Sequence, residues 1–246
     1  METAPSGVGG SAAFHTTHWT VVLEAGSHAK GGSHDAFARI YLDYWYPLYA
    51  YIRRRGYSPS DAEDITQDFF VHLIQGRSLD GLDRKGAKFR TFLLRLLNNF
   101  LANVWDRSRA QKRGAGEKPL TLDIAAGEAQ YAAEPSHTET PEVLFERQWV
   151  RTLLNRTLEE IRGECEAECK AALFADLRPH LQGDELGPPY AEVAARHGMS
   201  EGAVKVAAHR LRQRYGEMLR AEIARTVSTL WEVDDELRYL IALVRR

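Results

Sequence analysis

The sequence predicts an all-α fold: two helical domains joined by a flexible linker, the second containing a helix-turn-helix. Three observations lead there. Apolar residues recur every three to four positions through most of the chain, the period of one helix face. Helix-start signals stand where those runs begin, at Ser58-Pro59-Ser60-Asp61 and at Ser200. Between the two sets of helices lies a stretch of Gly, Ala, Pro, Glu, Ser and Thr with scattered apolar residues, the composition of a linker.

Residues 1–30 are read as an N-terminal extension, its first part too poor in large apolar side chains to order itself. His15 and His18 fall three apart there, but no further ligands at a zinc spacing accompany them. The first domain spans 31–113. Its opening helix starts near Ser33 and carries Phe37, Ile40, Tyr41, Tyr44, Leu48, Tyr49 and Ile52, with Pro47 as a possible kink. Arg53-Arg54-Arg55 and Gly56 close it, cations suiting the C-terminal dipole and Gly the left-handed stop.

The next helix starts at about Pro59. Its apolar stripe is Ala62, Ile65, Phe69 and Leu73, with Phe70 and Ile74 beside it, which leaves Glu63, Asp64, Gln67 and Asp68 on an acidic outer side. A loop follows in which Gly76, Gly81 and Gly86 alternate with Arg77, Arg84, Lys85 and Lys88. A long helix then runs from Phe89 through Leu93, Leu97, Leu101 and Trp105 to a basic exit at Arg107–Arg113. Asn98, Asn99 and Asn103 lie off its stripe; Asn is a poor helix former, so three of them suggest tolerance or a use in hydrogen bonding.

Residues 114–140 form the linker, and the second domain spans 141–220. From Pro141 an apolar run passes through Trp149, Leu153 and Ile161 towards Cys165 and Cys169, two thiols read as reduced and structural. The stretch 187–220 has the layout of a helix-turn-helix. Pro189 opens a short helix, Gly198 supplies the turn, Ser200 caps a second helix, and Val204, Ala208, Leu211 and Tyr215 mark its inner side. The outer side carries Lys205, His209 and Arg212, with Arg210 and Arg214 beside them and Ser200, Glu201 and Gly202 at the entering end. Such a helix fits the DNA major groove. Residues 221–246 form a C-terminal helical extension, with Val233, Leu237, Leu240, Ile241 and Val244 at helical spacing.

The net charge of −2 hides strong local charge. Between Arg84 and Arg113 nine basic residues stand against the single acid Asp106, a net +8, whereas 117–147 carries −5 and is suited to approach it. No run is as long and apolar as a membrane helix and no secretion signal is legible, so the expectation is a cytoplasmic protein without membrane partners. Neither a cofactor nor a metal is called for.

With both motifs in view, the chain resembles a bacterial RNA polymerase sigma factor of the extracytoplasmic-function type. Asp61-Ala62-Glu63-Asp64-Ile65-Thr66-Gln67-Asp68-Phe69-Phe70 is similar to that family's acidic signature, and Phe89-Arg90-Thr91-Phe92-Leu93-Leu94 with Asn99 to its minus-ten helix. Ser200-Glu201-Gly202-Ala203-Val204-Lys205 with His209-Arg210 and Arg212 resembles its minus-thirty-five reader. The resemblance makes 31–113 a region 2-like and 141–220 a region 4-like domain. It implies core RNA polymerase as partner, bound by Asp61, Glu63, Asp64, Gln67 and Asp68. It implies promoter DNA as ligand, in melted form at Arg84, Lys85, Lys88, Arg90, Asn98, Asn99, Asn103, Arg107 and Arg109. As duplex, promoter DNA would meet Ser200, Glu201, Gly202, Lys205, His209, Arg210, Arg212 and Arg214. An anti-sigma factor enters as a candidate regulator. The function implied is promoter recognition, DNA melting and transcription initiation, without catalysis by the chain itself. Two rivals compete: an ordinary helix-turn-helix regulator, which has no use for the acidic helix, and a Mg²⁺-dependent nuclease built on Glu63, Asp64 and Asp68, of which only Asp64 and Asp68 share a face.

Overall fold

The computed structural model describes residues 18, 33–75, 88–110, 124–132, 139–182 and 187–244. Among them are helices α1 (Ser33–Arg54), α2 (Pro59–Ile74), α3 (Phe89–Ala110), α4 (Ile124–Ala132), α5 (Pro141–Ala167), α6 (Ala171–Gln182), α7 (Tyr190–His197), α8 (Glu201–Ala224) and α9 (Glu232–Val244), and no strand. The all-α expectation holds.

Local chemistry sets most helix ends. Ser58 caps α2, its hydroxyl accepting from the Asp61 amide at 3.2 Å, and Ser200 caps α8 in the same way through Ala203 at 3.2 Å. Thr140 does so for α5 through Val143, at a longer 3.4 Å. The stops after α1 and α7 fall at Gly56 and Gly198, with φ of +92° and +62°, values a side chain would resist. Pro47 lies within α1, yet the helix runs unbroken from Ser33 to Arg54.

One apolar core binds α1, α2 and α3 to parts of the chain far away in sequence. Ile40, Tyr44, Leu48 and Ile52 of α1 meet Phe69 and Leu73 of α2 and Phe89, Leu93 and Leu97 of α3. Phe145, Trp149, Val150 and Leu153 of α5, Leu219 and Ile223 of α8, and Val233, Leu240 and Leu243 of α9 enter the same cluster. Each large side chain so buried contributes about 1.5–3 kcal/mol, so the packing of the two halves is not incidental. Helix α5 carries both duties. Its first half faces α1, and beyond Leu158 it turns Ile161 and Cys165 to Phe174 of α6. Helices α6, α7 and α8 share a small core of their own, Leu177, Val193, Ala194, Val204 and Ala208.

Within the span expected as a linker, α4 docks on α1. Glu128 receives hydrogen bonds from Tyr49 and Arg53, Arg53 Nε at 2.6 Å, and the Arg53 guanidinium lies over the Tyr131 ring. Among the described residues of the acidic block, Glu128 pairs with Arg53, and Glu146 reaches the +8 segment at Arg90.

Candidate nucleic-acid interface

Three surfaces carry the residues singled out in the sequence. The first is α2. Asp61, Asp64 and Asp68 are exposed along it, and Gln67 is half-buried. Glu63 departs from expectation: it is 4% exposed, because it turns into the cleft towards Tyr41 and accepts from Gln67 Nε2 at 3.1 Å. Burial, then the neighbouring Asp64 charge, raises the carboxyl pKa of both Glu63 and Asp68. Ile74, expected beside the buried stripe, is exposed instead, as is Val71. The acidic ridge thus continues into an apolar end, a feature the charges alone did not signal. The split between buried Glu63 and exposed Asp64 and Asp68 also breaks up the carboxylate set a nuclease would need.

The second surface is α3. Arg90, expected to meet DNA, is 1% exposed here and sits between two acids. Its Nε lies 2.8 Å from Glu146, its Nη1 pairs with Glu236, and its guanidinium stacks over Trp149 and Tyr239 at 5.3 and 5.6 Å. Lys88 also pairs with Glu236, at 2.5 Å. Asn98 is half-buried, its side-chain oxygen accepting from Tyr51 Oη at 3.0 Å and Arg55 Nη1 at 3.1 Å, so it braces α3 on α1. Asn99 and Asn103 are exposed, and Arg95 is exposed one turn before Asn99. The four-residue spacing of Arg95, Asn99 and Asn103 makes one ridge on α3. Arg95 was missing from the sequence-derived set, although that spacing was legible. Arg84 and Lys85 lie outside the described residues, and at Arg107 and Arg109 the description covers the helical backbone only.

The third surface is α8 with α7. Glu201, Gly202, Lys205, His209, Arg210, Arg212 and Arg214 are all exposed. Arg214 is turned back on α5, paired with Glu164 at 2.5 and 3.0 Å. Arg212 is turned to α6 and α7, donating to Tyr190 Oη at 2.7 Å and the His180 carbonyl at 3.3 Å. Ser200 spends its hydroxyl on the cap. Lys205, His209 and Arg210 remain outward, Arg210 bordering a groove with Glu164, Glu168 and Lys170, and Lys205 pairing with Glu201 one turn away at 2.7 Å. Exposed pairs of this kind are worth about 0–1 kcal/mol, so a phosphate can replace the carboxylate at little cost.

Among the described residues no group of three or more His, Cys, Asp and Glu side chains is placed to hold a metal ion. His18 is buried against Tyr44 and Phe89, ring centroids 6.0 and 5.2 Å away, which answers the metal-pair reading of that residue with a core role. No helix among the described residues is long and apolar enough to cross a membrane.

Comparison with known proteins bears on the first two surfaces most directly. Residues 40–112, from the middle of α1 to just past α3, match the family model of sigma-70 region 2. The chain is also similar to the ECF RNA polymerase sigma factor BldN of Streptomyces coelicolor, 27% identical over 192 residues. That alignment covers 77% of this chain and 62% of the relative, so the chain spans less than two thirds of that protein's length. No solved structure matches.

Proposed function

We propose that the chain is an RNA polymerase sigma factor of the extracytoplasmic-function type, which binds core RNA polymerase and directs it to promoters, a reading supported by the region 2 match and the similarity to the Streptomyces coelicolor protein. The α2 ridge of Asp61, Asp64 and Asp68, ending in Val71 and Ile74, is the polymerase-facing surface. The α3 ridge of Arg95, Asn99 and Asn103 faces the melted minus-ten strand, where Asn supplies hydrogen bonds and Arg holds phosphate. The α8 cluster of Lys205, His209 and Arg210 enters the major groove of the minus-thirty-five element. The protein works in the cytoplasm, performs no catalysis of its own, and is open to control by an anti-sigma factor.

The observation that carries this reading is the coincidence of the region 2 match with an acidic ridge left exposed on α2 while Ala62, Ile65, Phe69 and Leu73 on its other side are buried. A helix-turn-helix regulator needs no such surface. The test is affinity capture of core RNA polymerase by the purified chain, followed by promoter-directed initiation with the captured enzyme. Stable capture and initiation are expected. A chain that binds duplex DNA yet leaves core polymerase in the flow-through would sink the proposal.

A further inference from the structure

We propose that the C-terminal helix α9 is an intramolecular latch, in which Glu236, clasped by Lys88 and Arg90, fastens the second domain to the first until polymerase binding releases it. The inference rests on the sigma-factor reading for what the release achieves, and on side-chain geometry for the latch itself.

The start of α3 is where distant parts of the chain meet. Glu236 is 2% exposed and reached by two cations, Arg90 Nη1 and Lys88 Nζ, the latter at 2.5 Å. Arg90 also holds Glu146 of α5, and Glu146 in turn accepts from Tyr239 Oη of α9 at 2.5 Å. The backbone joins in: the Phe89 amide donates to the Thr226 carbonyl at 3.0 Å, and the His18 amide to the Arg225 carbonyl at 3.1 Å. An arginine and an acid taken out of water are an expensive device unless each charge is met, and here Arg90 and Glu236 meet one another, with Glu146 and Lys88 beside them. Val233, Leu240 and Leu243 of the same helix are buried in the core shared by both halves. A second group lies along α5 and α8, where Arg156 joins Asp43 of α1 to Glu222 of α8 at 2.6 Å each. The closure is thus a built interface in which specific pairs fix one register.

Its consequence follows from size. By their names the two promoter elements lie about 25 base pairs apart, or about 85 Å of B-DNA at 3.4 Å per pair. A compact chain of this length has a radius of gyration of about 18 Å, hence a diameter of about 45 Å. A chain closed on itself in this way cannot meet both elements at once. The closed form therefore stores the protein with its two readers too close, and α9 is the element that holds it so.

The test is amide hydrogen exchange on the full chain, alone and with core RNA polymerase. Glu236→Gln keeps the shape but loses the charge that Lys88 and Arg90 share. The amides of 143–153 in α5 and of α9 should then exchange about 100-fold faster, while those of α2 keep wild-type rates. Uniform acceleration that includes α2 would mean general destabilisation and would overturn the latch, as would no change at all. Tyr239→Phe, at a 44% exposed side chain, removes one hydrogen bond without threatening the fold and should give a smaller acceleration of about 5-fold at the same amides. With core polymerase added to the wild type, α2 should become protected and α9 should exchange faster. Protection of α2 with α9 still closed would refute the latch and leave the sigma reading standing. Absence of any polymerase binding would refute the sigma reading, while the Glu236→Gln comparison would still decide whether α9 is a latch.

Discussion

Replacing Arg90 by Met should cost about 3 kcal/mol of stability, and the environment of each partner says why. Met fills much of the same volume and keeps contact with Trp149 and Tyr239, so the change acts mainly on charge. Glu146 has a 20% exposed side chain and keeps its bond from Tyr239, so water and a hydroxyl can compensate it. Glu236 has a side chain only 1% exposed and keeps Lys88 alone, whose own side chain is 38% exposed. Breaking a buried pair by removing one member costs about 3–5 kcal/mol; the surviving lysine places this case at the lower end. With a urea slope of about 3 kcal/mol/M, the unfolding midpoint should fall by about 1 M. The double variant Arg90→Met with Glu236→Leu, which removes the stranded charge, should return to within about 1 kcal/mol of the wild type. A single variant that loses less than about 1 kcal/mol, or a double variant no better than the single, would refute the claim that buried charge pairing holds this site.

Other outcomes can be checked independently. Charge reversal at Asp64 and Asp68 together should weaken capture of core RNA polymerase at least 10-fold, with helix content by circular dichroism and duplex DNA binding unchanged; loss of DNA binding as well would point to misfolding. Arg210→Ala should lower the slope of log affinity against log salt for duplex DNA by about 1, the signature of one lost phosphate contact, and an unaltered slope would remove Arg210 from the interface. The pH dependence turns on His18, whose pKa is lowered to about 3 by burial first and then by Arg156, Arg225 and Arg39. Because the folded value lies below the unfolded 6.5, the stability this neutral ring contributes is complete above that pH and is lost as pH falls towards 3. Asp43, whose carboxyl pKa burial raises to about 7, acts with the opposite sign over much of the same window. The check is therefore the difference between wild type and His18→Gln in denaturation curves, in which the wild type should lose about 1.4 kcal/mol relative to the variant per pH unit below pH 6.

The resemblance and the local grammar of the chain agree because both are written in near neighbours. A Ser at a helix start caps it through an amide three residues on, and a Gly at φ +62° ends one. The caps at Ser58 and Ser200 and the stops at Gly56 and Gly198 were legible for that reason. The outer residues of α8 were legible as a set, although the structure commits Arg212 and Arg214 to neighbouring helices and leaves Lys205, His209 and Arg210 outward.

What only the tertiary structure decided is which charges face water. Arg90 reads in sequence as one more cation of a DNA-binding segment, yet its partners lie 56 and 146 residues further on. Glu63 reads as part of an acidic outer face, yet one helical step from Asp64 is about 100°, enough to turn it inward. Asn98 differs from Asn99 by the same step and bonds to α1, whereas Asn99 stays exposed. Amphipathic period tells that a helix has an inner face, and it locates that face to within a residue; it does not say what covers it. The apolar stripes of α5 and α9 were plain in the sequence. That they close on the first domain, and bury Arg90 with Glu236 as they do so, depends on contacts between segments that no local pattern connects.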